Sequence, residues 1–240
     1  MAFLPTTVQE IEALGWDYVD VILFTGDAYI DHPSFGAAVI GRLLEAEGYR
    51  VAIVPQPNWR DDLRDFRKLG TPRLFFAVSG GAMDSMVNHY TANKRLRSND
   101  AYTAGGKAGF RPDRAVRTYT QILKRLYPHV PVVVGGIEAS LRRLTHYDYW
   151  DERLMPSLLV DSGADLLVYG MGEKVIQEVA AAMRNGFNAK LLRRLRQVAF
   201  VADRTYVDRL DEEQTIRLHS SDGCRRDKQA FAETFPRIET

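Results

Sequence analysis

Residues Val130–Glu138 read V-P-V-V-V-G-G-I-E, and the fold follows from how this stretch is read. Pro131 opens it, the β-branched residues Val132, Val133 and Val134 follow, and Gly135-Gly136 closes it. A short unbroken apolar run between breakers is the pattern of a strand buried on both faces, as in a parallel sheet covered by helices. Paired glycines leave the strand end without Cβ atoms, so another chain segment or a ligand can approach the backbone closely. Ligands of open α/β sheets bind beyond the carboxyl ends of the strands, which makes Gly135 and Gly136 candidate binding residues. The competing reading is a tight strand-to-helix turn with nothing bound.

The same punctuation recurs on both sides. Tyr18–Phe24 is a mostly apolar strand ending in Thr25-Gly26-Asp27, followed by a helix from Pro33 to Ala46 that stops at Gly48. Arg50–Val54 is a second strand, broken by Pro55 and Pro57, and Trp59–Leu69 a short polar helix. Leu74–Val78 ends in Ser79-Gly80-Gly81, Ala115–Tyr127 is an amphipathic helix leading into the valine strand, and Asp165–Tyr169 ends in Gly170-Met171-Gly172-Glu173 before the helix Lys174–Arg184. With a short helix at Thr6–Leu14 in front, this alternation specifies an α/β, flavodoxin-like, doubly wound sheet of about five parallel strands over residues 1–187. Residues 188–240 read as a small connector. In it, Gln197–Ala202 and Thr215–Leu218 are expected to pair as an antiparallel unit, and Asp222–Phe235 to be helical until Pro236 breaks it.

Composition excludes several classes. The chain has 240 residues, 45% of them hydrophobic, enough for a large core. The formal net charge is +1, so bulk electrostatics draws it neither to nucleic acid nor to an anionic membrane. No apolar run reaches the ~18 residues of a membrane span, and Met1–Glu10 lacks the basic and apolar regions of a secretory signal, so the expected location is cytoplasmic. Cys224 is the only cysteine, which excludes an intrachain disulfide and an iron–sulfur site built on several cysteines. The five histidines lack the i, i+4 spacing of helical metal ligands. No metal ligand or catalytic residue is assigned.

Four strand ends should converge on one edge, where helix N-termini present free N–H groups suited to a phosphate or carboxylate. Ser79, Gly80, Gly135, Gly136, Gly170 and Gly172 are the cofactor-binding candidates there, although neither G-x-x-x-x-G-K-[ST] nor an opening G-x-G-x-x-G is present. Asp27, His32, Asp84, Asn88, Tyr90, Arg111, Glu138 and His146 are substrate-contact candidates. Several of them, with Asn93, Lys107 and Arg114, fall in or beside the irregular passage Gly81–Asp113. Such a long loop is either functional or tied down by its own buried hydrogen bonds. Glu138 and Glu173 can contact a ligand hydroxyl or cap neighbouring helices. Arg142 and Arg143 beside His146, Tyr147, Tyr149 and Trp150 can stack the bases of single-stranded RNA or form a face that packs on another domain.

Taken together, Asp31-His32-Pro33, Ser79-Gly80-Gly81, Val134–Ser140 and Gly163-Ala164-Asp165 through Gly170-Met171-Gly172-Glu173 resemble the cobalamin-binding-type domain that precedes radical S-adenosylmethionine cores. His32-Pro33, Met83–Asp113 with Arg111-Pro112-Asp113-Arg114-Ala115, and Gly136–Trp150 resemble the N-terminal region of the YgiQ family of radical S-adenosylmethionine proteins, over nearly the whole chain. The resemblance implies a longer protein with a [4Fe–4S] cluster, S-adenosylmethionine and an unidentified reaction. The cluster's C-x-x-x-C-x-x-C run is absent from these residues. The chain is therefore expected to be a non-catalytic fragment, itself without cofactor, whose partner is a missing C-terminal catalytic domain. For cobalamin, the resemblance implies a tail site at Ser79 and Gly135-Gly136. The ligand motif D-x-H-x-x-G reads D-H-P-S-F-G at Asp31–Gly36, one position out of register. The alternative is a non-catalytic module that binds an anionic small molecule or RNA at the strand ends.

Overall fold

The structure, a computed structural model, describes residues 3–30, 33–186 and 192–239. Five parallel strands form its centre: β1 (Val21–Thr25), β2 (Val51–Pro55), β3 (Phe75–Ser79), β4 (Val132–Gly135) and a three-residue strand, Leu166–Val168. Their order is β2-β1-β3-β4 and then Leu166–Val168, with Val21 facing Val51 on one side and Phe75 on the other. Sequence order reverses direction between β1 and β3, the switch point of a flavodoxin-like doubly wound sheet. The fold class expected from the valine strand is the one observed.

Side chains alternate between the two faces with the period of two that a pleated strand imposes. After the N-terminal helix α1 (Val8–Ala13) in the chain, Val21, Leu23, Ile53, Phe75, Ala77 and Val133 pack with α2 (Gly36–Ala46) and with the helix Glu173–Arg184. Ile22, Phe24, Val54, Phe76, Val78 and Val132 pack on the opposite face with Phe66 and with Val116, Tyr119 and Leu123 of the helix Ala115–Leu126. At about 25 cal/mol per Å² of apolar surface removed from water, these two layers are the main source of stability.

The structure departs from the sequence reading in several places. The first helix after β1 starts at Gly36 rather than Pro33. The polar helix after β2 shrinks to Arg64–Arg67, because the Asn58, Asp61 and Asp62 side chains accept nearby backbone N–H groups and hold turns instead. Residues 81–113 are not structureless: Asp84 caps a short helix, Ser85–His89, by accepting from Met86 N and Val87 N, and bridges join Tyr90 to Leu96 and Asn99 to Lys107. His146–Asp148 and Arg153–Met155 form a hairpin where no strands were expected. In the connector, Val198–Ala199 pairs antiparallel with Leu166–Val168 and covers the edge of the main sheet, while Thr215–Leu218 is not a strand. Pro236 does not break a helix, since it lies in the first turn of Thr234–Glu239, where its missing N–H has no intrahelical partner to lose. Among the described residues no helix is long and apolar enough to cross a membrane.

Candidate functional site

The strand ends do open onto one crevice, of about 290 Å³, between α2 and the helix Glu173–Arg184. Thr25, Ser79, Gly81, Gly135 and Gly136 form its floor, Gly170-Met171-Gly172 one wall, and Phe35, Val39 and Ile40 the other. Gly136 has φ +82, and a Cβ there would press on Ser79 Oγ, so the close approach of β3 and β4 at this point depends on glycine. Neither Phe35 nor Gly172, the N-caps of the two bordering helices, makes a side-chain capping bond. Neither N-cap side chain therefore satisfies the first backbone N–H groups of its helix, which lie beside an apolar slot. Phe35 and Met171 stand at the mouth with 70% and 75% of their surface exposed. Such a slot suits a ligand with an apolar body and an anionic end.

Of the cofactor-binding candidates, Ser79, Gly135, Gly136, Gly170 and Gly172 come together here. Gly80 does not line the crevice: a Cβ on it would meet the Glu138 carboxylate, and its carbonyl packs against Gly26. His32 lies outside the described residues.

Several substrate-contact candidates instead form a buried ionic layer behind the strand ends. Arg111 donates to Asp27 Oδ1 at 2.8 Å and to the Gly80 carbonyl at 2.9 Å, with Asp100 Oδ2 3.5 Å from its Nε. Asp84 pairs with Arg142 while capping its own helix. Glu138 is fully buried, accepting from Ser85 Oγ at 2.5 Å and from Val116 N at 2.9 Å, so it joins three helix ends. Burial pushes the Glu138 carboxyl above the usual carboxylate range, against the pull of nearby Arg142. His146 is half-buried in the hairpin, its Nδ1 3.1 Å from the Leu144 carbonyl, and burial lowers its pKa. It does not border the crevice.

Asn88, Tyr90 and Arg111 line a second cavity, on the other face of the sheet, with His89 and Asp113. The sequence reading passed over these last two and over Phe35. Asn88-His89-Tyr90 offered polar side chains on consecutive residues, but Asp113 is 24 positions from His89 and only the folded loop joins them.

Neither cofactor implied by the resemblance finds its donors among these residues. A [4Fe–4S] cluster needs several thiolates, whereas Cys224 is single and buried. Among the described residues the only titratable side chain lining the crevice is Glu173, so no imidazole or thiolate donor to cobalt is described there. Ala28 N–H donates to the Tyr102 carbonyl and Ala82 N–H to Asp27, which lays the 81–113 loop directly over the ends of β1 and β3.

The chain matches the family described as Radical SAM N-terminal over residues 3–240. It is 60% identical to a UPF0313 protein of Porphyromonas gingivalis over 99% of its own length and 37% of that protein's. A UPF0313 protein of Bacteroides thetaiotaomicron is 58% identical over 99% of the chain and 40% of the relative. For a Pseudomonas aeruginosa relative the figures are 55%, 83% and 26%. The chain thus spans about a quarter to two-fifths of the curated relatives it matches. Among solved structures, the radical S-adenosylmethionine methyltransferase TsrM of Kitasatospora setae, with tryptophan substrate and an S-adenosylmethionine analogue bound, aligns over 70% of the chain and 26% of TsrM, at 22% identity and TM-score 0.47. The chain belongs to the radical S-adenosylmethionine N-terminal family.

Proposed function

We propose that this chain is the N-terminal accessory domain of a longer radical S-adenosylmethionine iron–sulfur protein, and that its strand-end crevice holds a small ligand against a catalytic domain carried elsewhere in the polypeptide. The observation that carries this reading is the glycine-floored slot with exposed Phe35 and Met171 at its mouth. Ile137 and Leu141 of the helix Gly136–Leu141 are further exposed apolar side chains, and apolar surface of this kind is covered in the working assembly. The greater length of the relatives supplies a covering partner. The domain itself performs no radical chemistry, because it brings one thiol where three are needed.

An RNA-binding reading has weaker support. Arg142 is neutralised by Asp84, and Arg143 is held by the Ser140 carbonyl and over the Tyr169 ring.

Expression of this chain and of the remaining polypeptide as separate pieces tests the proposal. The two should co-elute, the iron–sulfur absorbance should reside in the second piece, and Phe35→Glu with Met171→Glu should weaken association about tenfold or more, as loss of apolar anchors does. Co-elution untouched by the rim substitutions, or a downstream sequence without a three-cysteine run, would overturn it.

A further inference from the structure

The second cavity has a volume of about 540 Å³. Among the described residues, the buried side-chain atoms Trp59 Nε1, Asn88 Nδ2 and His89 Nε2 have no hydrogen-bond partner and belong to residues lining this one space, as do Asp100 Oδ2 and Arg111 Nε, which face each other at 3.5 Å. Asn88 and His89 are each 7% exposed. Leaving a buried polar group unsatisfied is costly, and three such side chains beside one cavity make it a candidate ligand site.

The chemistry of the walls narrows the class. Asp113 accepts from His89 Nδ1 at 2.6 Å and from the Tyr90 hydroxyl at 2.9 Å. Its carboxylate is held below the ordinary range chiefly by the His89 bond. His89 Nδ1 is thus taken up by Asp113, and Nε2 is the ring nitrogen left without a partner, which a ligand hydroxyl can satisfy as donor or as acceptor. Trp59 Nε1 and Asn88 Nδ2 offer donors to ligand oxygens. At the rim, Arg60 donates Nη1 to the Gly109 carbonyl and Arg97 donates Nε to the Tyr90 carbonyl. One N–H of each guanidinium is thus fixed by backbone, and the Arg60 guanidinium lies 4.5 Å from the Trp59 ring centroid. Arginine side chains fixed in this way suit a phosphate, whose oxygens can accept from both guanidinium groups.

We propose that this cavity binds a small hydroxylated phosphate ester, with Arg60 and Arg97 taking the phosphate and the His89–Asp113 pair, Asn88 and Trp59 reading the hydroxyls. The site is separate from the strand-end crevice, lies on the other face of the sheet, and does not depend on the reading given to that crevice.

Ribose 5-phosphate titrated into the 240-residue chain by calorimetry, beside ribose and inorganic phosphate, tests it. Ribose 5-phosphate should bind at least about tenfold more tightly than either half, one good charge-assisted contact being worth roughly that factor. Arg97→Gln and Arg60→Gln, both at exposed positions, should each weaken it about tenfold without changing the melting temperature. His89→Gln should remove the preference over inorganic phosphate while leaving phosphate binding in place. Equal affinity for phosphate and for the ester, no heat with any of the three, or an ester affinity indifferent to both arginine substitutions would each overturn the assignment. Loss of ester binding on filling the strand-end crevice by Gly172→Leu would move the ligand there and likewise overturn it.

Discussion

Arg111 and Asp27 are 84 positions apart in sequence, yet their side chains meet at 2.8 Å with 0% and 2% of their surface exposed. The pair joins the end of β1 to the last turn of the long loop, and Asp100 closes the group from the other side. One guanidinium thus neutralises two buried carboxylates, and removing it strands both. Arg111→Met should destabilise the chain by about 3–5 kcal/mol, the range for breaking a buried ion pair by deleting one partner. Urea denaturation followed by circular dichroism measures it. A loss comparable to that of an ordinary surface substitution would mean that the loop is held by other contacts.

The Glu138 carboxyl makes stability depend on pH in a specific direction. Burial raises its folded-state pKa above the unfolded value of about 4.3. A carboxyl shifted this way contributes stability that is fully present below the unfolded pKa and is lost as pH rises through the folded pKa. Glu138→Gln deletes that dependence while keeping an oxygen acceptor for Val116 N–H or the Ser85 hydroxyl. The stability difference, wild type minus variant, should therefore shrink as pH is raised from about 4 toward 8. Thermal melts of both proteins across that range provide the check, and a difference that grows with pH would show that the Ser85 and Val116 hydrogen bonds outweigh desolvation.

These two groups also mark the limit of what the sequence discloses. Val132–Val134 and the other strands are legible because β-branched runs bounded by glycine and proline satisfy a short-range rule, and their order follows from the crossover rules. The glycine-lined crevice is legible for the same reason, since it must lie where those strands end. The loop 81–113 obeys no periodicity. Its order comes from Arg111 reaching Asp27, from His89 reaching Asp113, and from Glu138 accepting bonds across 22 and 53 positions. The hairpin at His146–Met155 is hidden likewise: its strands have three residues each, and Arg114 pins its Asp148 from 34 positions away. Nothing within either segment announces those partners.

Close backbone approach at the switch point gives a third prediction. A Cβ on Gly26 would fall inside the Gly80 carbonyl, a backbone atom that cannot swing aside. Gly26→Ala should cost about 1–3 kcal/mol or more, as overpacking does in a rigid core. Gly36→Ala, where nothing lies within 4 Å of the added methyl, should be neutral or mildly stabilising. Parallel chemical denaturation of the two variants separates a steric requirement from a general effect of replacing glycine, and equal costs would remove the steric account.

The crevice can be filled without disturbing the sheet. At Gly172 the backbone has φ −83, and an added Cβ would have Val168 Cγ1 as its nearest neighbour, at 3.5 Å, an ordinary van der Waals distance. Leucine at this position should fold with a stability change within about 1 kcal/mol, because it strains neither backbone nor core. Its side chain would occupy space between Met171 and the α2 wall that a ligand needs. The fluorescent probe 8-anilinonaphthalene-1-sulfonate has an apolar body and one anionic group, the combination the uncapped helix ends and apolar walls select. Wild-type protein should bind it and Gly172→Leu should bind it at least about tenfold more weakly, while Arg97→Gln, on the other face, should leave it unchanged. Probe binding that survives the leucine but is lost in Arg97→Gln would place the recognition surface in the wrong cavity.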